Sequence, residues 1–270
     1  MSGSPASRDL AGRLVFLGTG TSVGVPAIGC SCAVCTSANP RNKRLRCGLA
    51  LGLPHGTLLI DTPPDLRTQL LRERIGIVHG VVYTHEHADH IFGLDDLRLM
   101  QFYLHGPVPL YCEPAVEQRI RKSFDYAFQS GERLHPGAIP QLAPITIGLK
   151  PFEVLGATIT PLRLQHGPRT QVLGFRFGKI AYCTDTSGIP EESMDLLAGL
   201  DVLILDCLRR EPHVTHFGVG QALAVVERLK PRQTYFTHIS HDLEHEATNA
   251  ALPPGVELAY DGLELPLVRA

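Results

Sequence analysis

Short apolar runs recur along the chain, and most of them end at a polar side chain. The runs are rich in valine, isoleucine and leucine, which predicts buried strands. The run 14–17 leads to Gly18-Thr19-Gly20-Thr21, 57–60 to Asp61, and 81–84 to His85. In the second half, 157–164 leads to His166, 179–184 to Asp185, 201–205 to Asp206, and 233–237 to His238. We therefore expect the strands of a sheet to bring these polar side chains to one edge.

Helical patterns lie between the predicted strands. Residues 218–229 place Val219, Leu223, Val226 and Leu229 on one face, as an amphipathic helix does. Strands followed by helices in two similar halves favour an α/β fold, built as a four-layer αββα sandwich, over a single parallel sheet. Residues 130–151, rich in Pro and Gly, are predicted to connect the two halves. Further helices are predicted at 64–74, 91–101, 114–128 and 191–197.

The composition suits one large domain. Of the 270 residues, 44% are hydrophobic, which is enough to bury a large core. Residues 1–11 carry Ser, Gly and Pro without an apolar signal core, so we expect a flexible N-terminal tail and not an export signal. Residues 12–270 are expected to form a single domain.

Charge and apolar content restrict the surroundings of the protein. No stretch approaches the ~20 apolar residues of a membrane span, so we expect no membrane association. Without an export signal the expected location is cytoplasmic, where the seven cysteines are thiols or metal ligands and not disulfides. A formal net charge of -2 argues against charge-driven binding of nucleic acid, although a local basic patch can still hold a phosphate.

The chemistry is concentrated in Thr84-His85-Glu86-His87-Ala88-Asp89-His90, directly after a predicted strand at 77–83. Buried imidazoles and carboxylates need partners, since burial without one costs roughly 2 to 7 kcal/mol per polar group. Metal coordination satisfies all four candidate ligands together. His85 and His87 point to the same side of an extended backbone and suit one metal, while Asp89 and His90 suit a second. The alternative is a histidine-rich loop in solvent.

Three polar residues at later strand ends extend this set. His166 completes a trio with His85 and His87, His238 completes one with Asp89 and His90, and Asp185 can bridge two metals because a carboxylate has two oxygens. Taken singly, each of the three is more often a capping or core residue than a ligand. With the histidine string they predict a dinuclear site, and the His/Asp ligand set suits Zn, Mn or Fe without choosing among them.

A second metal-binding pattern occurs near the N-terminus, in a loop at 30–35. Cys30, Cys32 and Cys35 form a CxCxxC cluster that needs one more ligand for tetrahedral zinc. His241 is the candidate, because it follows His238 by three residues in the same loop. The alternative is a group of ordinary reduced thiols. The other cysteines, expected to be small buried hydrophobes, are Cys47, Cys112, Cys183 and Cys207.

The string at 85–90, with His166, the 184–186 segment and His238 in order downstream, resembles the metallo-β-lactamase-fold hydrolase superfamily over almost the whole chain. The superfamily covers lactam, thioester and phosphodiester hydrolysis and some oxidoreductases, so the fold does not name the reaction. One branch is closer: the phosphoribosyl cyclic phosphodiesterases of the carbon-phosphorus lyase pathway. The matching segments are 18–20, 24–26, the Cys30 cluster, 85–90, 205–207, 237–241 and 260–262.

This resemblance implies a function and several roles. In that family the three cysteines and the last histidine of the 237–241 loop bind a structural zinc, which agrees with the spacing. The resemblance also implies that His216 is a catalytic acid beside the metals, although His213 precedes the same predicted helix and the choice stays open. Asp89 is the second candidate catalytic residue. We expect two divalent ions, Zn or Mn, in the active site and one structural Zn.

The expected reaction is hydrolysis of a small, cyclic, phosphoribosyl-type phosphodiester by a hydroxide held between two metals, with His216 protonating the leaving alkoxide. The alternatives are tRNA 3′ processing, thioester hydrolysis and a non-catalytic zinc-binding interaction protein. Leu66, Arg67 and 98–133 match no substrate role, which leaves the substrate open. The expected partner is the small substrate, and a homodimer is compatible with the sequence.

Two further features keep two interpretations each. Arg44 and Arg46, within 41–46, either attract a phosphate or belong to a solvated loop, and the loop is favoured because charge runs usually face water. Asp61 and Asp206 either orient metal-bound histidines or cap loops.

Overall fold

The computed structural model describes residues 7–129, 135 and 137–267. These residues form two sheets of seven strands each, in the order β14-β1-β2-β3-β4-β5-β6 and β13-β12-β11-β10-β9-β8-β7. The strands are β1 Arg13–Gly18, β2 Gly48–Leu53, β3 Gly56–Ile60, β4 Gly80–Val82, β5 Val108–Cys112, β6 Leu142–Thr146, β7 Phe152–Val154, β8 Ala157–His166, β9 Thr170–Phe177, β10 Ile180–Cys183, β11 Val202–Asp206, β12 Gln233–Thr237, β13 Val256–Leu258 and β14 Glu264–Pro266.

Helices cover the outer faces of both sheets. Val116 and Ile120 of the helix Pro114–Ser123 pack into the core outside the first sheet, and Ala222 and Leu223 of the helix Val219–Leu229 pack outside the second. The predicted four-layer αββα sandwich is confirmed. The α-helices are α1 Leu66–Arg72, α2 Ala88–Ile91, α3 Met100–Leu104, α4 Pro114–Ser123, α5 Glu191–Leu196, α6 Val219–Leu229 and α7 His245–Ala251, and 3₁₀ helices span Pro40–Asn42, Leu94–Leu99 and Asp125–Ala127.

The central strands are apolar on both faces because each face meets a different core. In β1, Leu14 and Phe16 lie between the two sheets, whereas Val15 and Leu17 face the helices outside the first sheet. Successive side chains of a strand point to opposite faces, so a strand buried on both sides reads as an unbroken apolar run. This is why the short runs in the sequence predict strands.

The strand directions bring the polar ends of these runs together. In the first sheet β3, β4 and β5 are parallel, and in the second β10, β11 and β12 are parallel. The carboxyl ends of parallel strands lie at one edge of a sheet. The backbone N–H of Leu173 in β9 donates to the carbonyl of Thr84, just after β4, at 3.0 Å, and so ties the second sheet to this edge of the first.

The prediction of a continuous α-helix at 91–101 is wrong, because much of this segment is a 3₁₀ helix. The chain forms α2, the 3₁₀ helix Leu94–Leu99 and then α3. Leu94, Leu97 and Met100 recur every three residues and are all buried. That spacing matches the 3.0 residues per turn of a 3₁₀ helix better than the 3.6 of an α-helix.

The helix predicted at 114–128 ends earlier than expected. Phe124 leaves helical geometry at φ −124° and ψ 44°, and its ring is 8% exposed in the outer core. The helix α4 ends at Ser123, and a 3₁₀ turn follows. Among the helices of the described residues, none has the length and apolar character needed to cross a membrane.

The segment 130–151 is not only a connection, since it contains β6. This strand pairs with β5 in parallel and forms the end of the first sheet. Pro144 lies within it. Proline cannot donate to a strand ladder and is therefore confined to edge strands, bulges and strand starts, which is compatible with the position of β6. Residues 130–134 and 136 lie outside the described residues.

The predicted tail at 1–11 is described only from residue 7. Residues 7–11 pack against the domain. Leu10 is 4% exposed and belongs to the outer core of the first sheet. The backbone N–H of Arg8 donates to the carbonyl of Arg74 at 2.9 Å, and its guanidinium pairs with Glu73 at 3.1 Å. These contacts hold the described part of the segment on the surface.

Candidate metal centre

Three residues that follow strand ends at the shared edge adopt a left-handed backbone. Asp61, Asp185 and His238 follow β3, β10 and β12 and have φ values of 66°, 52° and 58°. For residues other than glycine such conformations cost roughly 1 to 3 kcal/mol. They persist where the surrounding structure enforces them, and they cluster at functional sites. The three turns thus aim their side chains at a common point.

The first predicted ligand trio is assembled. His85 Nε2 lies 2.9 Å from His87 Nδ1, and one ring nitrogen from each of His85, His87 and His166 falls within 4.8 Å of the others. His166 Nδ1 donates to the carbonyl of Thr215 at 2.9 Å, which leaves its Nε2 free. Such a hydrogen bond to the second nitrogen is the usual support of a metal-binding histidine.

The second trio is also assembled, around Asp89, His90 and His238. His90 Nε2 lies 3.3 Å from Asp89 Oδ2, and His238 Nε2 lies 3.6 Å from the same oxygen. In a tetrahedral site with bonds of about 2.0 to 2.3 Å, ligand atoms lie about 3.3 to 3.8 Å apart. The observed separations have this spacing. His90 Nδ1 donates to Asp61 Oδ2 at 2.7 Å, so its Nε2 is the nitrogen turned toward the site.

Asp185 lies between the two trios. Its Oδ1 is 3.3 Å from His90 Nε2, while its Oδ2 is 3.9 Å from His85 Nε2 and 3.4 Å from His238 Nε2. The hydroxyl of Thr184 donates to Oδ1 at 2.7 Å and fixes the carboxylate. One carboxylate therefore reaches both ligand sets, which is the geometry a bridging ligand requires.

The buried nitrogens of the site fit a metal better than they fit the protein alone. His90 Nε2 and both ring nitrogens of His238 are buried and have no hydrogen-bond partner among the described residues. A buried polar atom left unsatisfied costs about 1 to 3 kcal/mol. Divalent ions at the two trios satisfy His90 Nε2 and one nitrogen of His238, so the residues present fit the metals that the sequence predicts.

The charge of the site also favours cations. Burial lowers the pKa of His90, but Asp185, Asp89 and Asp61 outweigh it and raise that pKa well above its ordinary value. The pKa of His238 rises to about 9, because the carboxylates of Asp185 and Asp89 outweigh burial. Without metals these carboxylates hold protons on the two histidines, at the positions where a metal displaces them.

His216 contacts a histidine of each trio, and His213 contacts His216 but lies farther from the trios. The His216 ring stacks on His238 at 4.5 Å between centroids and lies 4.9 Å from the His166 ring. Its Nδ1 donates to Asp206 Oδ2 at 2.7 Å. His213 is half-buried, contacts the hydroxyl of Thr215 at 3.1 Å and reaches the His216 ring at 5.5 Å.

Asp61 and Asp206 each accept hydrogen bonds from a histidine of the site and from the backbone of a neighbouring loop. Asp61 accepts from His90 Nδ1 and from the backbone N–H of Thr84, at 2.7 and 2.8 Å. Asp206 accepts from His216 Nδ1 and, at 3.0 Å, from the backbone N–H of Thr186. Each carboxylate thus orients a histidine of the site and holds the loop beside it.

The cysteine cluster meets His241 as the spacing predicts. His241 Nδ1 lies 3.3 Å from the Sγ atoms of Cys30 and Cys35 and 3.7 Å from that of Cys32. These separations also match the ligand spacing of a tetrahedral zinc site. Burial raises the pKa of the Cys35 thiol to about 11, so without a bound metal the neutral thiol is favoured over the thiolate. The arrangement is a closed Cys₃His set, and its occupation by zinc stays a prediction.

The interpretation of Arg44 as part of a solvated loop is wrong. Arg44 is 1% exposed and donates to the carbonyls of Ser240 and Leu243 at 2.8 and 2.7 Å. It therefore fastens the loop that carries His238 and His241. Arg46 pairs with Asp65 at 3.1 Å. Neither contact is visible in the sequence, because the acceptors are backbone carbonyls or lie in distant segments.

Cys47 is a residue of the site that the sequence pattern missed. All four remaining cysteines are buried, as predicted, but Cys47 also places its sulfur within 4.8 Å of ligand atoms of His90, Asp185 and His238. It immediately precedes β2, which runs antiparallel to β3. The start of β2 consequently lies at the same edge as Asp61, which is the signal that sequence analysis could have used.

Comparison with known proteins agrees with the fold. Residues 57–239 match the family model described as a beta-lactamase superfamily domain. A crystal structure described as a new diphosphatase from the PhnP family is 45% identical, with a TM-score of 0.87, and the match covers 94% of this chain and 96% of that one. Zn(2+)-bound PqqB from Methylobacterium extorquens, 21% identical with a TM-score of 0.75 and coverage of 94% and 100%, shares the fold.

One curated relative is a longer protein. The octanoyltransferase of Porphyromonas gingivalis is 36% identical over 256 residues, and the match covers 93% of this chain but 51% of that protein. This chain thus spans about half the length of that relative. The family model and the match to the PhnP-family structure both cover most of the chain. The chain therefore belongs to the metallo-β-lactamase superfamily, in its PhnP family.

Proposed function

We propose that this protein is a metal-dependent phosphodiesterase that hydrolyses a small, cyclic phosphodiester of the phosphoribosyl type. The observation that carries the proposal is the position of Asp185, which reaches the ligand atoms of both trios at 3.3 to 3.9 Å. A two-metal site suits in-line displacement at phosphorus, because it can stabilise the attacking and the leaving oxygen together.

The metals have assigned ligands in this proposal. His85, His87 and His166 hold one ion, Asp89, His90 and His238 hold the other, and Asp185 is shared. When bound, two divalent ions, Zn or Mn, lower the pKa of water and neutralise charge on phosphoryl oxygens. The structural zinc belongs to the set Cys30, Cys32, Cys35 and His241.

The chain's own residues then position the reactants and move protons. His216 presents Nε2 because its Nδ1 is held by Asp206 at 2.7 Å. From Nε2 it protonates the leaving alkoxide, and Asp206 stabilises the imidazolium before the transfer. Asp89 is the more exposed carboxylate of the site, with 12% of its side chain accessible against 3% for Asp185. In this proposal Asp89 also orients the attacking water.

A second candidate is hydrolysis of a diphosphate linkage. It is favoured by one observation, the 45% identity to a diphosphatase of the PhnP family. The two reactions share a tetrahedral phosphorus and an oxygen leaving group, and they differ in that group's need for a proton. A phosphate leaves as a stabilised anion, whereas a ribose alkoxide needs the proton of His216.

The experiment is a substrate panel with protein loaded with zinc or with manganese. The panel contains a five-membered cyclic phosphate of ribose, bis(p-nitrophenyl) phosphate, a dinucleoside diphosphate, a glutathione thioester and a tRNA precursor. The proposal expects the largest kcat/KM for the cyclic phosphate. A preference for the dinucleoside diphosphate selects the second candidate. Turnover only of the thioester or the tRNA precursor contradicts both and selects the corresponding alternative.

Matched variants show whether an activity belongs to this site. Asp185→Asn should abolish it, whereas Asp201→Asn changes a carboxylate beside Lys179, whose amine lies 3.8 Å from it, and should retain it. Equal activity of both variants would mean that a contaminant or another site is being measured. Absence of turnover on every substrate, with a full metal complement, would support the non-catalytic alternative.

A further inference from the structure

Cys47 borders the second metal position, although its spacing in the sequence gives no such indication. Its Sγ lies within 4.8 Å of one ligand atom each of His90, Asp185 and His238, and these four atoms are mutually within that distance. His90, Asp185 and His238 are three of the residues that the proposed function assigns to the second metal. The thiol is therefore part of the same group of donors.

The sulfur of Cys47 is buried beside Thr184. Cys47 is 1% exposed, and its sulfur lies 3.5 Å from the hydroxyl of Thr184. That hydroxyl donates its proton to Asp185, so it has none left to give to the sulfur.

A second observation points to a ligand at this place. His90 Nε2 and both ring nitrogens of His238 are buried without a hydrogen-bond partner in the described part of the chain, and both residues share the cluster with the sulfur. The buried thiol, the unpartnered ring nitrogens of His90 and His238 and the Asp185 carboxylate together form a donor set in which sulfur is the one soft ligand. An S, N, N, O set is typical of zinc and of softer ions.

We propose that Cys47 is an additional ligand of the second metal and makes that position prefer zinc over manganese. The sulfur coordinates as thiolate, and its proton leaves to solvent as the metal binds. Manganese favours oxygen donors, so it gains little from the sulfur. The inference rests on the two-metal part of the proposed function and is independent of which ester the protein cleaves.

Cobalt titration of the intact protein tests the inference without any substrate. Thiolate coordination to Co²⁺ gives a charge-transfer absorption in the near ultraviolet. We compare wild-type protein with Cys47→Ser and with Cys112→Ser, which changes a buried thiol in the outer core of the first sheet. All three retain the Cys30 cluster, so its contribution cancels in the difference spectra. We expect a band that is lost in Cys47→Ser and retained in Cys112→Ser.

Affinity provides the second readout. The Cys47→Ser change should weaken zinc binding at the second position by about tenfold or more, the size of effect seen when metal-site groups are removed, and should change manganese binding much less. Identical cobalt spectra and identical zinc affinities in wild type and Cys47→Ser would overturn the inference. Failure of the proposed function would instead show as absent turnover while the cobalt band persists.

Cadmium-113 NMR of the wild-type protein keeps the inference testable if Cys47→Ser does not fold. Sulfur ligands move a cadmium resonance far from the range of nitrogen and oxygen ligands. With cadmium in all positions, we expect two sulfur-shifted resonances, one from the Cys30 cluster and one from the second metal position. A single sulfur-shifted resonance, with the others in the nitrogen and oxygen range, would show that Cys47 is not a ligand.

Discussion

His216 and Asp206 form a hydrogen-bonded pair in which Nδ1 donates to Oδ2 at 2.7 Å, and the His216 ring stacks on His238 at 4.5 Å. A carboxylate on one ring nitrogen fixes the tautomer and the orientation of the other. Asp206 lies at the end of β11, and His216 lies in the loop before α6. The two elements therefore hold Nε2 of a histidine at the edge of the candidate metal centre.

The His216→Gln substitution is expected to lower kcat by about 10² to 10⁴ for a cyclic alkyl phosphodiester, because it removes the proton donor to the alkoxide. The loss should be much smaller with bis(p-nitrophenyl) phosphate, whose leaving group departs without a proton. The measurement is kcat for both substrates. His213→Gln is the matched control and should change neither by much. An equal loss on both substrates would mean that His216 does not donate the proton.

Cys32→Ser is expected to remove one zinc and leave the two active-site metals. Cys32 is exposed, so the change disturbs little packing, while three remaining ligands hold zinc weakly. Thermal unfolding should shift to lower temperature because zinc binding contributes to folding. Metal analysis and calorimetry check this, with Cys112→Ser as the variant that keeps all metals. Loss of every metal from Cys32→Ser would show that the two sites are not separable.

Arg44→Met is expected to destabilise the fold by about 1 to 3 kcal/mol, because it leaves the carbonyls of Ser240 and Leu243 without a donor. Zinc should also bind less tightly, since the same loop carries His241. Denaturant titration measures the first effect. Arg232→Met is the control, because that side chain is 84% exposed and should be nearly neutral. Equal stability of the two variants would contradict the role of Arg44.

Acid should destabilise the protein partly through His245. Burial lowers the pKa of this side chain to about 4, against an ordinary value of 6.5. Below pH 6.5 His245 takes up a proton in the unfolded chain but not in the folded chain. The free energy of unfolding therefore falls as pH decreases from 6.5 toward 4. The full contribution is at most about 3 kcal/mol.

The His245→Gln variant isolates this contribution, because other titrating groups act equally in both proteins. Between pH 7 and pH 4.5, wild type should lose more free energy of unfolding than the variant. Denaturant titrations at the two pH values measure this difference. Parallel losses would show that His245 does not titrate on unfolding in this range.

The sequence predicts much of the fold because its strands are buried on both faces. Runs such as 14–17 remain apolar throughout, and each ends where a polar side chain is needed. Residues 85–90 are contiguous, so a single loop carries four of the candidate ligands. His166, Asp185 and His238 become predictable once strand ends are expected to meet at one edge.

The remaining features depend on contacts between distant segments. Arg44 is buried only because the carbonyls of Ser240 and Leu243 reach it. Cys47 joins the metal centre through the antiparallel pairing of β2 and β3. The edge strand β6 contains a proline and reads as a loop. In each case the local pattern is ordinary, and the sheet pairing decides the outcome.

Metal content of Asp185→Asn tests the central claim most directly, since that claim is two metals sharing one carboxylate. Wild-type protein loaded with zinc should bind three equivalents, two at the active site and one at the Cys₃His set. The asparagine variant should keep the structural zinc, lose at least one active-site equivalent and lose phosphodiesterase activity. Three equivalents with full activity in the variant would contradict the account.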